Sequence, residues 1–352
     1  MGGKLKEVAT LRRMTTPVWQ PSNARTASTQ LADFQSQAGV AGEYADLHRW
    51  SVEDPGRFWS AVWEWCGVVG DRGEGPPVIY GNHLNDTRFF ADSSLNFAEN
   101  LLASGSDDDP ALLFRGENGR STDLSWAELR VLVARIQGAL RDAGVTPGDR
   151  IAAWLPNVPE IYAVMLAAAS LGAVFSSTSP DFGIDGVVDR FGQIEPVILF
   201  ATDCYRYAGK RVDVTSRLIE VAERLPTIRR VVLVPEADDG TVSGPIPDQA
   251  VTLDEFLADQ SVGQPEFVPL PFDHPLYILY SSGTTGAPKC IVHRAGGILL
   301  KHLTEHRLHC DLRPSDRMFY FTTAGWMMWN WMASGLASGA TLVLYDGSPF
   351  HP

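Results

Sequence analysis

From Ala111 onward the chain alternates short apolar runs rich in strand formers with longer stretches of helical period, and that alternation leaves few folds open. Residues 111–114 read as a strand, 126–143 as an amphipathic helix and 150–155 as a strand. A helix over 159–171, a strand over 173–176, a helix over 184–193 and a strand over 197–201 follow. A second cycle places a helix over 214–225, a strand over 231–234 and a helix over 296–309. Strands separated by crossover helices pair in parallel and need cover on both faces. The pattern therefore predicts an α/β fold with parallel or mixed sheets flanked by helices. The longest apolar run, Ile161 to Phe175, falls short of the roughly 20 residues a membrane span takes, and its alanines suit a helix packed on all sides.

Composition narrows the partners. With 352 residues, 45% of them hydrophobic, the chain can bury one large core or two smaller ones. Its formal charge of −13 repels nucleic acid and anionic membranes, and no Lys/Arg-rich stretch offsets it locally, so neither is expected as a partner. Cys66, Cys204, Cys290 and Cys310 form no C-x-x-C pair and read as free thiols in a reducing cytoplasm. Met1 to Lys6 lacks the apolar core of a secretory signal, and Met14 offers an alternative start. Residues 1–40 read as an irregular N-terminal arm. Residues 41–105 form an aromatic-rich region in which Phe58, Val62 and Trp65 stand at helical spacing after the turn Asp54-Pro55-Gly56, with Trp50, Trp59 and Trp63 as further core anchors. Asp107-Asp108-Asp109-Pro110 marks the entry to the main domain, residues 106–352.

The chemistry concentrates at Tyr280-Ser281-Ser282-Gly283-Thr284-Thr285-Gly286-Ala287-Pro288-Lys289. Four hydroxyls and two glycines leave backbone N–H groups uncovered, so they converge readily on phosphate oxygens while Lys289 adds a positive charge. Residues 276–280 and 290–293 are strand-like, so the loop joins two strands. A Walker loop instead runs into a helix, and no G-x-G-x-x-G fingerprint follows a predicted strand.

This loop resembles the phosphate loop of the adenylate-forming superfamily, the acyl-CoA synthetases, luciferases and peptide-synthetase adenylation domains. Ser281 stands where the usual form has Thr, and Cys290 where it has Gly, so that position needs no positive φ here. Leu124-Ser125-Trp126-Ala127-Glu128-Leu129 and Ala168-Ala169-Ser170-Leu171-Gly172-Ala173 are similar to two further motifs of the superfamily. Within it, several stretches resemble the acetoacetyl-CoA synthetase (acetoacetate–CoA ligase) branch: Leu95 to Leu101, Ser179-Pro180-Asp181-Phe182-Gly183, Arg190 to Pro196, and Gly325-Trp326-Met327-Met328-Trp329-Asn330-Trp331.

The resemblance implies the large-domain architecture of adenylate-forming enzymes, truncated before the C-terminal lid domain, with residues 41–105 as an acetyl-CoA-synthetase-type N-terminal region and 106–352 as an incomplete AMP-binding domain. It implies ATP with Mg²⁺, acetoacetate and CoA as small-molecule partners. It assigns β/γ-phosphate contacts to Ser281, Ser282, Gly283, Thr284, Thr285, Gly286 and Lys289, and an acyl pocket to Trp326, Met327, Met328 and Trp329. The catalytic lysine of the family lies beyond Pro352, which leaves a non-catalytic nucleotide-binding fragment, or a ligase for another short acid such as acetate or propionate, as alternatives. His302-Leu303-Thr304-Glu305-His306 matches the zinc-binding string H-x-x-E-H. The branch carries the same stretch without zinc, and no metal is assigned to it.

Overall fold

The computed structural model describes residues 19–351 except 238 and 282–285. Its strands are β1 (Pro110–Gly116), β2 (Ser121–Ser125), β3 (Arg150–Trp154), β4 (Val174–Thr178), β5 (Ile198–Ala201), β6 (Arg230–Leu233), β7 (Ala250–Thr252), β8 (Pro275–Ser281), β9 (Lys289–Arg294), β10 (Arg317–Phe319) and β11 (Thr341–Asp346), beside shorter pieces. Among the described residues the larger sheet has seven strands in the order β7-β6-β5-β3-β4-β8-β9. It is parallel from β7 to β8 and ends in the antiparallel β9, the mixed sheet that the alternation implies. The strand expected at 111–114 does not join it. That strand, β1, sits in a second sheet of order β10-β11-β1-β2, paired in parallel with β11 from Leu342↔Leu112 to Asp346↔Gly116. Its partner comes from the opposite end of the chain, and no local pattern announces such a pairing.

The helix Pro159–Ser170 joins β3 to β4 and is buried along its whole length except at Glu160. An apolar helix of this kind needs cover on every side, and its last carbonyls, cut off from water, still need donors. Asn96 supplies them. Its Nδ2 lies 3.2 Å from the Ala169 carbonyl, 3.1 Å from that of Ser170 and 2.9 Å from that of Val268. Its Oδ1 accepts from the Ala98 N–H at 2.9 Å and so caps the helix Phe97–Leu102. Gln137 donates to Ser170 Oγ at 2.6 Å from the neighbouring helix Trp126–Asp142. Gly172 then turns the chain with φ +76°, and a Cβ there would stand 2.9 Å from Leu270 Cδ2, so conformation and space both call for glycine.

The expected irregular arm is corrected where it is described. Residues 19–40 contain the helices Asn23–Ala27 and Gln30–Gln37, with Ser22 and Thr29 as their N-caps. Phe34 fixes this segment in the core, edge-on to Phe58 at 6.0 Å and Trp65 at 5.7 Å. Residues 1–18 of the arm lie outside the described residues. The supposed turn Asp54-Pro55-Gly56 is the N-cap and first turn of the helix Pro55–Cys66, with proline at the position that has no partner to lose.

The helix expected over 296–309 is α-helical from Ala295 to Leu303 and π-helical from Thr304 to His309. Within it Glu305 receives Lys301 Nζ at 2.8 Å and Trp331 Nε1 at 2.9 Å, while His302 Nδ1 pairs with Ser334 Oγ at 2.8 Å. Two groups of the H-x-x-E-H string, His302 and Glu305, thus have protein partners, whereas neither ring nitrogen of the buried His306 has a hydrogen-bond partner among the described residues. Burial pushes the His302 imidazole down to about 2, helped by neighbouring His306, Lys301 and His293, and burial likewise pushes His306 down to about 4. Elsewhere, the sheet edges leave apolar side chains uncovered: Val292 on β9 is 52% exposed and Phe319 on β10 is 56% exposed.

Replacing Asn96 by Ala is expected to cost roughly 2–4 kcal/mol in urea unfolding, and Asn96→Asp, which keeps the cap but loses the donors, most of the same. A loss below about 1 kcal/mol for both would show that the carbonyls find other donors. The two histidines predict an acid dependence. Each is neutral in the folded chain, whereas the unfolded chain takes up a proton below the ordinary value of 6.5. Stability is therefore unaffected by them above that pH and falls as pH drops toward about 4, by up to about 1.4 kcal/mol per pH unit for each. His306→Leu should remove one such slope from the pH series of unfolding midpoints, and an unchanged slope would contradict a buried neutral imidazole.

Candidate nucleotide and acid site

Strands β8 and β9 pair from Tyr277↔His293 up to Ser281↔Lys289, so the Ser/Thr/Gly segment springs from the end of a β-hairpin. Ser282, Gly283, Thr284 and Thr285 of the expected phosphate contacts lie outside the described residues. Ser281 ends β8, half-buried. Gly286 is exposed with φ +113°, a conformation that favours glycine. Lys289 opens β9, exposed and without an ion-pair partner among the described residues. Cys290 lies in the extended strand, and its φ is not positive, which is why a side chain is tolerated where the superfamily pattern has glycine.

The base of this hairpin is braced by side chains to which the sequence pattern assigned no role. Ser176 Oγ donates to the Ile278 carbonyl at 2.8 Å and lies 3.0 Å from Tyr280 Oη. Burial holds the Tyr280 phenol well above its ordinary range, so it stays protonated. From the end of the helix Ile184–Phe191, Arg190 lies 4.4 Å over the Phe182 ring and 5.7 Å over that of Tyr280. Gln193 Nε2 donates to the Pro288 carbonyl at 2.8 Å, and Cys290 Sγ donates to Gln193 Oε1 at 3.6 Å. Arg190 and Gln193 belong to the Arg190 to Pro196 run singled out by resemblance alone; only their contacts reveal them as braces.

The acid-side segment packs against the same framework. Ser177, next to Ser176 on β4 and therefore facing the opposite side of the sheet, donates to the Ala324 carbonyl at 2.7 Å. A Cβ on Gly325 would stand 3.1 Å from Phe182 Cε2 and 3.6 Å from the Ser179 nitrogen. Phe182 thus touches both the glycine that leads into Trp326 and the arginine that braces Tyr280. Trp326 caps the helix Met327–Ala333 and is 67% exposed, Met327 is 45% exposed and Met328 is half-buried. Trp329, also expected in the pocket lining, differs from these in exposure. Helical rotation turns it into the core, fully buried, with its ring centroid 4.7 Å from that of Tyr162 and its Nε1 donating to Asn157 Oδ1 at 3.0 Å.

Beside this segment a cavity of about 390 Å³ opens where β4, β5 and β11 end, lined by Asp181, Tyr205, Arg206, Thr323 and Asp346 among others. Strand carboxyl ends are where open α/β sheets place their ligands. Burial, reinforced by Glu117 and Asp181, pushes the Asp346 carboxyl up to about 7. Among the described residues the arrangement brings together a hairpin that carries Ser281, Gly286 and the cation Lys289, and a segment with exposed Trp326 and Met327 packed on the same framework.

The AMP-binding enzyme family matches over residues 101–352. The acetoacetyl-coenzyme A synthetase of Rhizobium meliloti (strain 1021) is 53% identical over 344 residues, covering 96% of this chain and 52% of that protein. The malonamoyl-CoA synthetase vrtB of Penicillium aethiopicum is 42% identical over 319 residues, 88% of this chain and 44% of that protein. The solved structure of acetoacetyl-CoA synthetase from Streptomyces lividans superposes with a TM-score of 0.89 at 42% identity, covering 96% of this chain and 52% of that one. The chain spans about half the length of the curated relatives it matches. A mixed sheet carrying a phosphate-type hairpin, and a family match over most of the chain, lead to one conclusion: the chain belongs to the AMP-binding enzyme family.

Proposed function

We propose that this chain carries the phosphate grip and the acid-receiving surface of an acetoacetate–CoA ligase. The acetoacetate carboxylate attacks the α-phosphorus of MgATP, an oxygen–phosphorus bond forms, and pyrophosphate leaves. The thiolate of CoA then displaces AMP from acetoacetyl-AMP to give acetoacetyl-CoA. The obstacle in the first step is repulsion between a carboxylate and a polyphosphate, so positioned donors must hold the phosphates and take up the charge that grows on pyrophosphate. Ser281, Ser282, Gly283, Thr284, Thr285, Gly286 and Lys289 are proposed for that task, and Trp326, Met327 and Met328 for the acid. Mg²⁺ would enter with the nucleotide as MgATP and offset part of the phosphate charge.

The observation that carries this reading is the bridge of Phe182 and Arg190, which ties the base of the phosphate hairpin to the segment bearing Trp326. An acid at Trp326 and a nucleotide at the hairpin are then neighbours. The names of the relatives point the same way, since acetoacetyl and malonamoyl groups both carry a carbonyl at the third carbon. The half-length coverage favours a second reading, a piece that binds nucleotide without completing ligation. Four free cysteines fit a reducing cytoplasm, the location proposed here, and no helix among the described residues is long and apolar enough to cross a membrane.

The test is MgATP binding by the chain, followed by exchange of labelled pyrophosphate into ATP with acetoacetate, acetate or no acid. Lys289→Met is expected to weaken MgATP binding about 10-fold or more without changing the unfolding midpoint. Equal binding by the two proteins would remove the hairpin from the reading. Exchange stimulated by acetoacetate above acetate supports the ligase, whereas binding with no exchange under any acid supports the nucleotide-binding piece.

A further inference from the structure

Asn330, on the helix Met327–Ala333, is 2% exposed, and among the described residues neither its Oδ1 nor its Nδ2 has a hydrogen-bond partner. An amide buried in this way lowers stability, and an apolar side chain of the same shape would serve the core better. Its neighbours on the helix show no such defect: Trp329 Nε1 donates to Asn157 and Trp331 Nε1 to Glu305. Among the described residues of this helix, Asn330 is the polar side chain left without a partner. A feature that breaks a packing rule with no structural return points to a ligand.

Position on the helix says where that ligand enters. Asn330 follows Met327 by three residues, so it lies one turn further along the same side of the helix, and Trp326 is the N-cap residue that precedes that turn. Ser334 continues the line one turn further and closes it, its hydroxyl 2.8 Å from His302 Nδ1 and donating to the Asn330 carbonyl at 3.2 Å. On this helix the Asn330 amide is the buried unpaired polar group one turn from Met327, among the described residues.

Resting on the reading that the acid is received at Trp326 and Met327, we propose that Asn330 is the specificity-determining residue of this chain, its Nδ2–H donating to the carbonyl oxygen at the third carbon of the acid. Acetoacetate presents that oxygen, whereas butyrate, of equal chain length, presents a methylene. A site that leaves a buried donor unpaired discriminates strongly against the analogue that cannot pair it.

The experiment titrates acetoacetate and butyrate into the chain in the presence of MgATP, following tryptophan fluorescence, for the wild-type protein, Asn330→Leu and Asn330→Ala. Melting temperatures are measured without ligand. The wild-type protein is expected to bind acetoacetate at least about 10-fold more tightly than butyrate. Asn330→Leu should bind the two equally and melt at the same or a higher temperature. Asn330→Ala removes the amide without asking a new side chain to fit, and should lose the preference as well. A preference retained in both variants, equal binding by the wild type, or an Asn330→Leu protein that melts lower or fails to fold would each overturn the proposal. Failure of the wild type to bind either acid would overturn the reading of the acid surface itself, and this inference with it.

Discussion

A helix buried on every side must still satisfy the carbonyls at its end, and in this chain the Asn96 amide does so for Pro159–Ser170. Much else is seated by that one contact. The helix delivers the chain through Gly172 into β4, and β4 presents two consecutive serines to opposite faces of the sheet. Ser176 holds the β8 strand of the phosphate hairpin, and Ser177 holds the segment that leads to Trp326. The segments proposed for the phosphates and for the acid are thus each tied to one of two adjacent residues of a strand whose position depends on a capped, buried helix.

The electrostatics of the chain run against its proposed ligand, and local arrangement answers this. A protein of formal charge −13 repels a polyphosphate at long range. At short range, the proposed donors and Lys289, which has no ion-pair partner among the described residues, would act within a Debye length, where the distant acidic residues are largely screened. Buried imidazoles such as His302 and His306, held neutral by desolvation, add no compensating charge. They are a cost to acid stability that the packing of this layer sustains.

Legibility divided along the range of the interactions involved. Helix Trp126–Asp142 was visible because its apolar face repeats with the helical period, whereas the Ser125–Glu128 capping box that opens it emerged with the structure. The hairpin was visible because two strand-like runs flank a cluster of turn-forming residues. The helices after Ser22 and Thr29 were not visible because a capping hydroxyl and a turn hydroxyl look alike until the residues after them are seen to pack, as Phe34 does. The pairing of β1 with β11 had no local trace, since register between strands so far apart is decided by burial on both faces.

The amino-acid sequence by itself determined the alternation of strands and helices between residues 111 and 234, the Ser/Thr/Gly loop and its place between two strands, and the lack of any Lys/Arg-rich stretch, because each rests on periodicity, composition or turn chemistry within a few residues. Tertiary structure alone decided that Trp329 faces the core while Trp326 faces solvent, that Arg190 and Gln193 brace the hairpin, and that Asn330 is buried without a partner among the described residues. Those outcomes depend on which faces meet when distant elements pack. A side chain's partners across such an interface belong to the assembled core and not to its neighbours in sequence.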